Sequence, residues 1–257
     1  MTLSSLTLYL RIAAHFRNFP GVIGAVRKGA KCESATLWNG LRFSHPAGQD
    51  GLASVLIETW LEKTYIGGGF YSPKAGDVVF DIGANIGVFA VHLAHKNPGC
   101  RIIAVEPYPE NFEFLKYNIE KNRISNVETR LLALHADAVG AYMVKVGRRS
   151  LDHVLTCEPP DCPAFRVETC TLRDLLDRSG AGRVALLKVD IEGSEGAVFE
   201  QTDNETLRRF DRIALEYHDN LRPGTLSLLR RRLDATHHVE IRPSSVAGCG
   251  VIRAKLR

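Results

Sequence analysis

The chain has 257 residues, 45% of them hydrophobic and 24% charged, with a formal net charge of +4. That suits one large domain, or one domain with an addition, of ordinary globular composition. So small a positive excess demands no nucleic-acid partner, no apolar stretch approaches the ~20 residues of a membrane span, and there is no internal repeat or low-complexity tract.

Leu3 to Phe19 is mildly apolar but interrupted by Arg11, His15 and Arg17. It lacks the uninterrupted apolar core of a signal peptide and reads as an amphipathic helix packed on the domain, with contact to a membrane surface as the other reading. Ser34–Phe43 suggests a hairpin turning at Asn39-Gly40. Leu52–Tyr65 has helical spacing through Leu52, Val55, Leu56, Thr59 and Trp60, and Gly67, Gly68 and Gly69 end it. Residues 1–70 are therefore expected to be an N-terminal extension of helix, hairpin and helix that caps the substrate, and residues 71–257 the main domain.

From residue 76 strands and helices alternate. Strands are expected at 78–81, 101–105, 127–134, 141–146, 184–191 and 212–217. Helices are expected at 86–96, 109–122, 172–179, 194–201 and 223–233. Residues 147–166, with Pro159, Pro160 and Pro163, read as an irregular loop of functional length. Val239–Arg242 and Val251–Lys255 suit a closing antiparallel pair. Such alternation predicts a mostly parallel sheet covered by helices, with ligands at the edge formed by the strand C-terminal tips.

Two runs carry the chemistry. In the first, Asp77–Gly87, an apolar strand ends at Asp81, and Gly83 and Gly87 allow tight turns. A second strand ends at Glu106, where a carboxylate can hydrogen-bond a ribose diol. The middle glycine of the dinucleotide fingerprint Gly-x-Gly-x-x-Gly is absent, because position 85 is Asn85. Asp81 would repel a pyrophosphate but suits an amino-acid ammonium. Asp81 and Glu106 together therefore fit S-adenosylmethionine better than NAD.

In the second run, Ala185–Gly193, strand parity puts Lys188, Asp190 and Glu192 on one face. Glu195 follows in the next helix, and Glu216 and His218 share a face of the next strand. These residues are expected to converge at one end of the sheet. One reading makes His218, or a carboxylate of raised pKa, a general base toward a hydroxyl. Another has Asp190 and Glu216 hold a hard divalent cation. The structural alternative is a Lys188–Glu216 ion pair with helix-capping acids. The basic clusters Arg208-Arg209 and Arg230–Arg232 read as solvated helix-end charges, with an anionic contact as the minority reading. The six cysteines, at positions 32, 100, 157, 162, 170 and 249, include no Cys-x-x-Cys pair. That argues against zinc or redox motifs and fits a reducing, cytoplasmic compartment.

The runs Gly76–Gly87, Val105-Glu106-Pro107 and Leu187–Glu195, together with Thr171–Leu175, closely resemble the FkbM family of S-adenosylmethionine-dependent methyltransferases across roughly residues 50–220. The resemblance implies a Rossmann-like class I α/β fold, with a mostly parallel seven-stranded sheet and helices on both faces. It implies O-methylation of a hydroxyl on a sugar, natural product or other small molecule, with no nucleic-acid partner. By this likeness Asp81, Gly83, Asn85 and Gly87 line the methionine side of the cofactor and Glu106 its ribose. Asp190, Glu192 and Glu195 match motif positions, and Asp190, Glu216 and His218 are the catalytic candidates. Adenine is expected near Leu132–Asp137. An NAD-dependent oxidoreductase and a non-catalytic nucleoside-binding scaffold are the rival readings.

Overall fold

The structure is a computed structural model that describes residues 3–28, 31–138, 140–145, 153–156, 161 and 164–257. The N-terminal segment comprises α1 (Leu3–His15), α2 (Phe19–Lys28), the hairpin β1 (Ser34–Thr36) and β2 (Arg42–Ser44), and α3 (Leu52–Leu56). The helix predicted over 52–65 widens into a π-helical turn at Ile57–Glu62 and stops where Lys63 adopts a left-handed conformation, φ 53°. The single helix expected over 3–19 is instead α1, with α2 starting at Phe19.

The main domain follows in order: β3 (Val78–Ile82), α4 (Val88–Lys96), β4 (Arg101–Val105), α5 (Pro109–Lys121), β5 (Val127–Arg130), β6 (Ala133–Leu134), β7 (Ala141–Lys145), β8 (His153–Thr156), β9 (Ala164–Val167), β10 (Thr169–Cys170), α6 (Leu172–Ser179), β11 (Leu186–Val189), α7 (Glu195–Gln201), α8 (Asn204–Leu207), β12 (Arg212–His218), α9 (Thr225–Asp234), β13 (His237–Pro243) and β14 (Cys249–Leu256). Seven strands form one sheet in the order β13-β14-β12-β11-β3-β4-β5. β12, β11, β3, β4 and β5 pair in parallel, and β14 runs antiparallel to both its neighbours. The chain builds outward from β3 to β5 and then returns to place β11 on the other side of β3. The order therefore reverses between β3 and β11, where such sheets open a crevice for ligands.

Period-two alternation explains the two cores. Phe80, Ile82, Leu187, Val189 and Leu215 pack against Leu172, Leu175, Phe199 and Leu229 from α6, α7 and α9. Val79, Leu186 and Ala214 point the other way, toward Phe89 and Leu93 of α4 and Leu115 of α5. The N-terminal segment joins that second side. Ile12, Phe16, Phe43 and Trp60 share an apolar cluster with Ile86, Val88 and Val91, and Asn118 of α5 donates to the Ser44 carbonyl and accepts from its amide.

Two expectations are corrected. The strand predicted over 127–134 is broken: β5 stays in the main sheet, while β6 pairs with β10. The loop predicted over 147–166 contains β8 and β9, which flank β7 in a small antiparallel sheet; residues 147–152, 157–160, 162 and 163 lie outside the described residues, and with them Cys157, Cys162 and the three prolines named above. The described cysteines Cys32, Cys100, Cys170 and Cys249 are free thiols. The arginine clusters serve the fold, since Arg209 pairs with Asp177 at 2.9 Å and Arg232 donates to the Phe199 carbonyl at 3.1 Å. No described helix is long and apolar enough to cross a membrane.

Candidate active site

The loop after β3 is bound to the end of β4. The amides of Gly83 and Ala84 both donate to the Val105 carbonyl at 2.9 Å. Gly83 has φ +72°, and a Cβ there would lie 1.7 Å from the Asp190 carbonyl oxygen, so the loop meets the end of β11 with no room for a side chain. Gly87 also has positive φ, but a Cβ there would meet a Leu115 methyl at 2.6 Å, so its lack of a side chain serves the packing of α4 on α5.

Glu106 is buried and closes this corner. It accepts the Asn85 amide at 2.7 Å on one oxygen and the Tyr108 amide at 2.9 Å on the other. Burial raises its pKa to about 7 despite those two bonds and the charge of Lys188. Beyond Glu106 runs an apolar slot lined by Val105, Pro107, Leu132, Leu134, Met143 and Leu155. β7 and β8 supply its far wall, which is why its residues showed no signature: ordinary apolar side chains become a slot only when the small sheet folds over them.

Asp81 and Lys188 lie directly opposite each other on β3 and β11. Asp81 is fully buried, and Lys188 Nζ stands 3.2 Å from its Oδ1. The same ammonium donates to the carbonyls of Gly83 at 2.7 Å and Ile82 at 3.3 Å, bracing the loop from behind. Burial raises the Asp81 pKa while Lys188 opposes the shift. Burial disfavours the charged Lys188, but Asp81, Asp190, Glu58 and Glu216 outweigh it and raise its pKa. Asp81 and Gly87 thus stand apart from the cavities lined by Gly83, Asn85 and Glu106. This departs from the expected ammonium contact, because Asp81 points across the sheet to Lys188. Lys188 thus pairs with Asp81, and not with Glu216 as in the structural alternative.

The groove continues over Gly83, Asn85, Asp190 and Glu192 into a recess with Glu58, Thr59, Tyr65 and Glu216. Glu58 and Tyr65 come from the N-terminal segment and were not foreseen, since an α-to-π change alters which face a helical side chain presents. Tyr65 donates to Glu216 Oε1 at 2.7 Å and lays its ring 5.4 Å from Lys188 Nζ. Burial first, then the Glu58 charge, raise Glu216 to about 8; burial and Glu216 raise Asp190 to about 7. Glu58 and Glu216 also line a neighbouring cavity of about 600 Å³ walled by Ala53, Ile57, Glu62 and Val251.

His218 Nδ1 lies 2.9 Å from Oε1 of fully buried Glu195, which also accepts the Gly193 amide at 3.1 Å. Its Nε2 faces Glu192 at 3.5 Å and Glu216 at 3.6 Å. Burial disfavours protonation, but the Glu195 bond and the charges of Glu195, Glu192 and Asp190 prevail, lifting His218 to about 9. That shift favours the imidazolium near neutrality and so favours the other general-base reading, a carboxylate of raised pKa, over His218. The expected convergence of Asp190, Glu192, Glu195, Glu216 and His218 is present.

S-adenosylmethionine fits the groove: a diol can face Glu106, the slot suits a flat adenine, and acids line the path of its sulfonium and ammonium. The family model of the methyltransferase FkbM domain matches residues 81–242. The 31-O-demethyl-FK506 methyltransferase FkbM of Streptomyces tacrolimicus is 28% identical over 216 residues, covering 73% of this chain and 82% of that protein. Methyltransferase 1 of Beauveria bassiana is 26% identical over 198 residues, covering 69% and 78%. A shorter match, 29% over 93 residues, covers 34% of this chain and 28% of the tRNA (guanine(37)-N(1))-methyltransferase Trm5b of Pyrococcus abyssi. The nucleotide-binding edge, the strand order and the match across most of the main domain agree: this chain belongs to the FkbM methyltransferase family.

Proposed function

We propose that this protein transfers the methyl group of S-adenosylmethionine to a hydroxyl of a small molecule, in the class of sugars and natural products. The observation that carries this reading is the junction at Glu58 and Glu216, which line both the groove and the adjoining cavity of about 600 Å³. A donor in the groove and an acceptor in the cavity would meet there. The relative named for 31-O-demethyl-FK506 supports an oxygen acceptor.

S-adenosylmethionine, when bound, supplies an electrophilic methyl on a sulfonium. Glu106 takes the ribose hydroxyls, and Leu132, Leu134, Met143 and Leu155 enclose the adenine. Glu216, oriented by Tyr65, accepts the hydroxyl proton as the new C–O bond forms and the C–S bond breaks, leaving a neutral thioether. With its pKa raised to about 8, Glu216 gains its basic form as pH rises toward that value, so turnover should climb on the alkaline side of neutrality. Asp190 steadies the cationic donor from the end of β11. Positioning and exclusion of water supply most of the acceleration, with proton transfer secondary.

Residues 1–70 act as the acceptor cap, since Ala53, Ile57, Glu58 and Glu62 wall the cavity. Its acids Asp50, Glu58, Glu62 and Glu216 oppose a phosphate backbone, which supports a small acceptor over nucleic acid. The free cysteines support a reducing, cytoplasmic setting. The test is incubation with methyl-labelled S-adenosylmethionine and separate panels of sugars, hydroxylated natural products and tRNA. Label on a small-molecule oxygen is expected; label on tRNA alone would overturn the acceptor class.

A further inference from the structure

At the end of β11 and β12, acidic side chains crowd together and burial raises the pKa of three of them, Glu58, Asp190 and Glu216. Glu58, Asp190, Glu192, Glu195 and Glu216 gather around Lys188 and His218. Lys188 is held by Asp81 and two backbone carbonyls. Asp190 Oδ1 and Glu195 Oε2 are buried and have no hydrogen-bond partner among the described residues. A buried carboxylate oxygen without a partner is costly, and here two occur beside the same imidazole.

We infer that Asp190, Glu192 and His218 form a binding site for a divalent transition-metal cation, of the manganese or zinc class, between the groove and the acceptor cavity. One ligand atom from each residue lies within 4.8 Å of the others. The Nε2–Glu192 distance of 3.5 Å is close to the ~3.4 Å between neighbouring ligands of a tetrahedral ion at ~2.1 Å. Glu195, wholly buried, holds the opposite ring nitrogen at 2.9 Å and so turns Nε2 toward the two acids. That is the carboxylate–histidine–metal arrangement, in which the outer carboxylate fixes ring orientation and tautomer. An imidazole among carboxylates suits manganese, iron or zinc; calcium and magnesium favour oxygen alone.

The cation would displace the Nε2 proton and give the buried Asp190 Oδ1 its counter-charge. Glu216, 3.6 Å from Nε2, lies beside it and also lines the acceptor cavity. A hydroxyl bound there would be acidified toward Glu216. Only this last consequence rests on the methyltransfer reading; the metal site itself is independent of donor and acceptor.

The experiment is titration of chelator-treated full-length protein with Mn²⁺, then Zn²⁺, without donor or acceptor. Free Mn²⁺ is followed by electron paramagnetic resonance and stability by thermal unfolding. Saturable binding with a raised Tm is expected. Glu192→Gln and Glu195→Gln should each weaken it about 10- to 100-fold. Glu192 is one-third exposed, so its variant keeps the test valid should a change at Glu195 prevent folding. No saturable binding of either ion to the wild type, or undiminished affinity in Glu192→Gln, would overturn the site. Mn²⁺ binding without S-adenosylmethionine binding in a parallel titration would leave the metal site standing and defeat the methyltransfer reading alone.

Discussion

Glu106 and the Asp190–His218 cluster stand at tips of the same sheet, yet they solve opposite problems. Glu106 is one carboxylate with a backbone amide on each oxygen, buried and nearly complete without ligand. The other end collects five acids around Lys188 and His218, with two buried oxygens unpartnered among the described residues. On the proposed reading, a corner so fully satisfied would recognise a neutral diol in one orientation. A cluster so short of positive charge is organised for cations, whether a sulfonium, an ammonium or a metal ion. The difference separates binding from chemistry along a single groove.

Changing the chemical end should show first in rate. Glu216→Gln is expected to lower turnover by about 10²- to 10⁴-fold, the usual range for a lost general base, with donor affinity little altered. Steady-state kinetics alongside donor titration separates the two, and an unchanged rate would remove Glu216 as the proton acceptor.

Asp81 tests whether the loop between the two ends is braced from beneath. Removing one partner of a buried ion pair leaves the other charge uncompensated, so Asp81→Asn should cost about 3–5 kcal/mol of stability in urea unfolding. A stable variant that had lost only donor affinity would instead restore Asp81 as a ligand contact. At the binding end, Glu106→Ala should weaken donor affinity ten-fold or more, about 1.5–3 kcal/mol for hydrogen bonds to a charged group.

The smallest expected effect is in pH. Asp190, Glu216 and His218 are raised to about 7, 8 and 9, so each holds its proton more tightly folded than unfolded. The stability they contribute is complete below their unfolded values and is lost as pH rises through the folded ones. Chelated protein should therefore have a lower urea midpoint at about pH 9 than at about pH 6, and Mn²⁺ should reduce the difference. A midpoint independent of pH would contradict the charge crowding.

The two ends also differed in how far the sequence revealed them. Val78–Ile82 and Arg101–Val105 are short apolar runs with an acid or turn at the tip, and local pattern alone placed Gly83, Asn85 and Glu106. Lys188, Asp190 and Glu192 do line one recess, but not by strand parity, because β11 ends at Val189 and Glu192 turns left-handed beyond it. What local pattern could not supply was partnership across the sheet. The pairing of Asp81 with Lys188 was not legible because the two are remote in sequence, and only the register between β3 and β11 sets them opposite each other. Glu58 and Tyr65 were hidden by the α-to-π change, and the wall of Leu132, Met143 and Leu155 by the pairing of β7, an expected strand, with β8, which lies in the stretch that reads as loop. The raised pKa of His218 follows from three acids of one short stretch, Asp190, Glu192 and Glu195, set against it by the pairing of β11 with β12.

The most direct test of the account is calorimetric titration of the wild type and Glu106→Ala with S-adenosylmethionine, S-adenosylhomocysteine and NAD. The account predicts that the wild type binds both sulfur nucleosides and not NAD, and that the variant binds both at least about ten-fold more weakly. Binding of NAD alone, or equal affinity in the variant, would contradict it.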